Sequence, residues 1–238
     1  MPSFQKYDIA LYGHITIDKI FSEFTNHKTI GAMGNVWDAL ISTDSSLSID
    51  LKPTAIGEAI ILVDKKNMNR VGRGQLNLHT TNTINVSKSK WHHLMYINQL
   101  DNVSFVNNIE EGIISADITS GKIKNLELLS IIDFLFISDE DLFMDIDELA
   151  KLVKGWVILH YPEGSYSSNG KESVLVKNEI LENVNVLGAG DIFAASFMYK
   201  HLNDQDIKIC IEYAHSNTTY ILQQRKLENE TTKKKKSK

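Results

Sequence analysis

Asn185–Phe197 reads NVLGAGDIFAASF. Two glycines bracket an alanine, an aspartate follows at once, and positions 192, 193, 194, 195, 197 and 198 are then apolar. The run after Asp191 is therefore expected to be a helix buried nearly all round, with Gly188, Ala189 and Gly190 at its N-terminus. The first N–H groups of a helix have no partner within it, and its macrodipole is positive at that end. Glycine lets an anion approach such a backbone closely. The turn is thus a candidate anion hole, and Asp191 falls in the first helical turn, where the dipole favours its charged form. A carboxylate there suits a base that takes a proton from a hydroxyl. An anion hole beside a base is the equipment for moving a phosphoryl group to an alcohol, a reaction catalysed by positioning and electrostatic stabilisation. Taken alone, Gly-Ala-Gly-Asp is equally well accounted for as helix capping.

Outward from this stretch the chain alternates between short apolar runs and helical spacing. YDIALY (7–12) reads as a buried strand ending at Gly13, and ITIDKIF (15–21) as a continuing or second strand. GAMGNVWDALIS (31–42) places glycines before a helix with Val36, Ala39 and Leu40 on one face. EAIILVD (58–64) is a strand followed by a turn at KKNMNR, and further strands are expected at 94–100, 112–118, 134–138 and 156–161. PEGSYSSNG, after the last of these, reads as a turn. Residues 139–154 carry apolar side chains at 142, 143, 146, 149, 150 and 153, the spacing of a helix. Strands alternating with helices predict a mostly parallel sheet with crossover helices. Residues 54–90 depart from this pattern, with a strand and an Asn/Thr-rich stretch but no helix, which predicts a β-rich excursion.

The composition narrows the function classes. The 238 residues are 42% hydrophobic, enough for a substantial core, and a net charge of -5 argues against a nucleic-acid partner. A single cysteine, Cys210, excludes an internal disulfide or a cysteine-rich zinc site and is expected to be a packed core thiol. No apolar run reaches the ~18 residues of a membrane span, and the first residues lack a secretion-signal layout, so a cytoplasmic protein with no membrane partner is expected. His92 and His93 are adjacent in a strand and should point to opposite faces, which disfavours one shared metal ion. TTKKKKSK, residues 231–238, is expected to be a disordered basic tail.

NVLGAGDIFAASF resembles the C-terminal signature of the ribokinase-like (PfkB) family of carbohydrate and nucleoside kinases, with Gly188, Ala189, Gly190, Asp191 and Phe193 matching in order. DIALYGHITIDKI is similar to that family's opening strand, with Gly13 and a substrate-contacting Asp18. IGAMGN carries its Gly-Gly-x-x-x-Asn motif in part, as Gly31 and Asn35, with Ile30 in place of the first glycine. PTAIGEAIILVDKKNMNR looks like the lid segment, IISADI like the strand ending in aspartate, and VILHYPEGSY like the nucleotide loop. FISDEDL stands where the family has its magnesium-associated Asn-x-x-Glu, with Ser138 and Asp141 at the matching positions. Asn185 and Val186 replace the usual opening Asp-Thr of the signature, and only STDSSLSIDLK separates the Asn35 helix from the lid strand.

The resemblance implies an α/β ribokinase-like fold, a mostly parallel sheet flanked by helices with a small β lid. One kinase domain would span 1–230, its lid strands at about 15–21 and within 54–90. It implies ATP and Mg2+ as cofactors and a small-molecule sugar as substrate. Asp191 would be the catalytic base and Gly188, Ala189 and Gly190 the anion hole. Asp18, Gly31 and Asn35 would hold the sugar, Gly164 the nucleotide and Asp141 the metal. A homodimer through the lid is expected, since an apolar strand edge seeks a partner. Residues 54–90 contain no aromatic side chain on which a base could stack, which favours a sugar over the alternative nucleoside acceptor. The remaining alternative is a non-catalytic ligand-binding relative.

Overall fold

In the computed structural model, the residues described are 6–21, 26–64, 70–80, 84–119, 123, 126–182 and 184–236. Among them ten strands form one sheet. In chain order they are β1 (Tyr7–Phe21), β2 (Asn26–Ala32), β3 (Ile49–Val63), β4 (Arg70–Thr80), β5 (Ser89–Met95), β6 (Ile113–Asp117), β7 (Phe134–Ser138), β8 (Trp156–Tyr161), β9 (Gly164–Ser168) and β10 (Ser173–Lys177). The helices are α1 (Met33–Thr43), α2 (Ile146–Ala150), α3 (Ala189–Asn203) and α4 (Ile207–Lys236). The sheet runs β10-β9-β8-β7-β6-β5-β1-β3-β4, with β2 also paired to β1. From β8 through β7, β6, β5 and β1 to β3 every neighbour is parallel, whereas β2, β4, β9 and β10 pair antiparallel.

β1 is one strand, and its sequence changes character along its length. Ile9 to His14 are buried without alternation, as befits a strand covered on both faces. From Ile15 onward burial alternates, with Thr16, Asp18 and Ile20 inside and Ile17 and Lys19 outside. One half of β1 therefore belongs to the two-sided body and the other to a lid covered on one face only. The register with β3 shifts at Gly13/His14, where the two meet. A side chain at Gly13 would put its Cβ 2.1 Å from the Met95 carbonyl oxygen, so glycine is required where the strands approach. β3 makes the same passage from body to lid alongside β1, and β2 and β4 complete the lid.

Two apolar layers cover the body. α1, α3 and α4 pack on one face, where Val36, Leu40, Phe193, Phe197, Cys210 and Ile211 are buried with Leu11, Trp91 and Phe136 of the sheet. The other face, with Ala10, Tyr12, Leu94 and Leu135, is covered by 3-10 turns at Ile97–Gln99, Ser104–Asn108 and Leu126–Ile131 and by the short α2. Inside the lid, Ile20, Ala59, Ile61 and Val63 pack together against Leu187.

Several sequence expectations are corrected. The strand at 94–100 stops at Met95, because Ile97–Gln99 turns into a 3-10 helix. The long helix at 139–154 is reduced to a 3-10 turn at Asp139–Asp141 and five residues of α2. Asp145 caps α2 by accepting from the Asp147 and Glu148 N–H groups, so the helix starts only there and Leu142 and Phe143 stay outside it. PEGSYSSNG is a turn only at its start, since Gly164–Ser168 form β9 between β8 and β10. α4 carries its backbone helix through Lys236, well into the basic segment read as a tail, as lysine's good helix propensity allows. The KKNMNR turn falls on residues 65–69, outside the described residues up to Arg70. Cys210 is buried, and burial pushes its thiol up to about 12, as a packed core thiol requires. His92 and His93 do face opposite ways, His92 toward Tyr12 and the Glu111 carbonyl and His93 toward Ser115 and Asp117.

Candidate active site

A cleft of about 430 Å³ lies between body and lid at the C-terminal ends of the parallel strands. The floor is the start of α3. Gly188 caps that helix at φ 76°, a left-handed conformation that glycine adopts without steric cost. Asp191 follows in the first turn and is buried. Asn35, in the first turn of α1, donates its Nδ2 to Asp191 Oδ2 at 2.8 Å, and the Tyr96 hydroxyl donates to Oδ1 at 3.1 Å. The N-termini of α1 and α3 thus converge on one carboxylate, where both dipoles favour negative charge.

Burial nevertheless dominates, and raises the Asp191 carboxyl to about 6. The negative charge of Asp117, at the end of β6, pushes in the same direction, while Asn35, Tyr96 and Arg73 oppose it. Burial and the Asp191 charge raise Tyr96 well above its ordinary value, so its hydroxyl stays a donor. A base protonated below about pH 6 and held by two neutral donors can accept a proton at neutral pH.

On the lid side, Asp18 accepts from the Thr16 hydroxyl at 2.6 Å, and burial raises its carboxyl too. Gly31 sits opposite Thr16 in the β1–β2 ladder, and a Cβ there would stand 2.0 Å from Asp18 Oδ2. Gly31 therefore shapes the site by leaving room for the Asp18 carboxylate. At the other end of the cleft, Asp141 accepts from Ser138 Oγ at 3.0 Å and lies 3.9 Å from Arg70 Nη2.

Of the residues singled out in sequence, Asp18, Asn35, Asp141, Gly188, Ala189, Gly190 and Asp191 all line this one cleft. Gly164 is not brought into it. Its φ of 148° and the closeness of the Val176 carbonyl oxygen, 2.0 Å from where a Cβ would stand, explain the glycine by the β9–β10 hairpin instead. Tyr96, Arg73 and His160 line the cleft and were missed in sequence. Arg73, on β4, stacks over the Tyr96 ring with its guanidinium 5.5 Å from the ring centroid. Asp117 also lines the cleft; its aspartate ended a recognised strand, but nothing local distinguished it from a strand-end charge.

A profile of the pfkB family carbohydrate kinases matches residues 78–233, which hold the body from β5 through α4 and the whole glycine turn. The chain belongs to the pfkB family. No curated protein matches it in sequence. Among solved structures, adenosine kinase from Sinorhizobium meliloti is similar at 15% identity and a TM-score of 0.73, over 92% of this chain and 94% of that one. Fructokinase from Vibrio cholerae O395 is similar at 15% identity and a TM-score of 0.63, over 92% and 99%. A putative ribokinase II from E. coli, in complex with ATP and Mg+2, is similar at 14% identity and a TM-score of 0.59, over 88% and 90%. These likenesses establish the ribokinase-like fold of this pfkB chain. Among the described residues, no helix is long and apolar enough to cross a membrane.

Proposed function

We propose that this pfkB chain transfers a phosphoryl group from ATP to a hydroxyl of a sugar or sugar-like substrate held between body and lid. The observation that carries the reading is the buried Asp191, gripped by Asn35 and Tyr96 at the left-handed glycine turn that opens α3. Asp191 takes the proton of the acceptor hydroxyl. The N–H groups of Gly188–Gly190 receive the negative charge that builds on the phosphoryl oxygens. Asp18 accepts hydrogen bonds from other hydroxyls of the sugar, and Asn35 orients the base. Residues 54–90 of the lid carry no Phe, Tyr or Trp on which a base could stack, which supports a sugar over a nucleoside.

Magnesium fits the residues present. Asp141 and Glu140 offer hard oxygen donors at the cleft, and among the described residues no group of three or more His, Cys, Asp or Glu converges as a closed cage. That is the donor set of an ion held by one or two carboxylates together with nucleotide phosphates. When bound, the ion supplies charge neutralisation on those phosphates. The chain then acts as one kinase domain, and the exposed Ile17, Ile30, Ile56 and Leu62 on the outer lid face support a homodimer formed there.

The test is ADP release from Mg-ATP across a panel of sugars, polyols and nucleosides, on protein whose solution mass has been measured. Release with a sugar and a mass twice that of the chain are expected. Release only with nucleosides would replace the acceptor class, and bound ATP without release from any acceptor would make the chain a non-catalytic relative.

A further inference from the structure

β7 and β8 are parallel, and their register sets Ser138 opposite His160. Both therefore reach the cleft at the same depth, beside the anion turn. His160 lies directly against that turn: a Cβ at Gly190 would stand 3.0 Å from its Cε1 and 3.5 Å from its Nε2. The bare glycine is what lets the imidazole approach. The ring is steadied from behind by Phe193, two residues after Asp191 on α3, at a centroid distance of 5.2 Å.

Two other histidines of the body have polar partners. His215 Nε2 meets Ser165 Oγ at 3.1 Å, and His93 Nδ1 meets Ser115 Oγ at 2.7 Å. Among the described residues, neither ring nitrogen of His160 has a hydrogen-bond partner. The ring is half-buried and lines the cleft, where a bound group can meet a ring nitrogen. Burial also holds its pKa below the ordinary histidine value, so at neutral pH it offers one N–H and one acceptor nitrogen.

We propose that His160 is a catalytic residue, whose imidazole N–H donates to a non-bridging oxygen of the phosphoryl group in transit and so extends the anion hole of Gly188–Gly190 from the β8 side. The inference rests on the phosphotransfer reading above. The imidazole keeps its proton throughout. The phosphorus–oxygen bond to the donor breaks, the bond to the acceptor oxygen forms, and the acceptor's proton goes to Asp191.

The experiment compares wild type with His160→Phe, which keeps a ring against Phe193, and His160→Gln, which keeps a donor. His160→Leu replaces the first if the phenyl ring disturbs folding, as melting temperature would show. Loss of one such donor lowers kcat by about 10²–10³-fold, so His160→Phe should fall by that much while the KM for acceptor changes far less. His160→Gln, which restores a donor, should recover part of the loss. Inhibition by ADP with aluminium fluoride, a mimic of the phosphoryl group in transit, should weaken in His160→Phe while ADP alone binds as before. A folded His160→Phe that keeps kcat and this inhibition would overturn the proposal and leave the kinase reading intact. A wild type releasing no ADP with any acceptor would overturn both.

Discussion

Two carboxylates face the same cleft from opposite sides, Asp191 from the body and Asp18 from the lid, and their surroundings differ. Burial raises both. Asp191 stands on the first turn of α3, receives hydrogen bonds from two other parts of the body, and has the like charge of Asp117 nearby. Among the described residues Asp18 has one donor, Thr16, two residues away on its own strand, and it rests on a lid only one sheet thick. The body fixes a carboxylate in place and tunes it toward proton transfer. The lid presents a carboxylate whose geometry depends on β2 staying paired to β1. A base needs the first arrangement and a substrate ligand is served by the second.

The contrast breaks most sharply in kinetics. A positioned base contributes about 10²–10⁴-fold to rate, so Asp191→Asn should lower kcat by that much with little change in acceptor KM. Asp18→Asn should act the other way, raising acceptor KM more than it lowers kcat, since the interaction it removes is made by bound substrate as well as by the transition state. Steady-state kinetics on both variants would check this. Equal losses in kcat would erase the distinction between the two carboxylates.

Stability gives the next largest effect, and its sign is opposite to that of activity. The folded Asp191 carboxyl titrates at about 6, against 3.8 for an unperturbed one. Between those values the native state binds more protons than the unfolded state, so stability falls as pH rises through this window and the cost is fully present above it. At ~1.4 kcal/mol per unit, the cost above the window is roughly 3 kcal/mol. Asp191→Asn removes the charge, keeps an acceptor for Asn35, and should stabilise the fold by up to that amount at pH 8. It should give little below pH 4. Denaturant unfolding at the two pH values would show the difference, and a variant less stable than wild type at pH 8 would sink the account.

The sequence made different parts of this site legible to different degrees, for physical reasons. The glycine turn could be read because its logic is local: unpaired N–H groups, glycine freedom and a buried helix all lie within thirteen residues. β7 and β8 begin and end where their apolar runs do, and their polar residues Ser138 and His160 fall at or next to the C-terminal ends that open onto the cleft. The helix at 139–154 misled because apolar spacing does not record where a cap will start the helix, and Asp145 starts it late. Tyr96, Arg73 and His160 could not be found from spacing at all. Their roles come from register between strands distant in sequence, as when β8 aligns His160 with Ser138 or β4 carries Arg73 over Tyr96. Gly164 shows the converse, a motif position whose glycine serves a hairpin.

The smallest expected effect tests how the body tunes its base. If Asp191 must be ionised to act, kcat should rise with pH through about 6 and level off above it. Asp117 raises that value through its negative charge, and the buried His93 Nε2 lies 3.4 Å from Asp117 Oδ2. Asp117→Asn removes the repulsion, so the Asp191 carboxyl should fall toward the ordinary range and the acid limb of the kcat profile should move to lower pH. Asn35→Ala removes a donor that favours the charged form, and its limb should move to higher pH. The two shifts have opposite signs although both changes neighbour the same carboxylate, which a general loosening of the site would not produce. Limbs that moved together, or stayed at the wild-type position, would mean that Asp191 is not the group whose ionisation limits the rate.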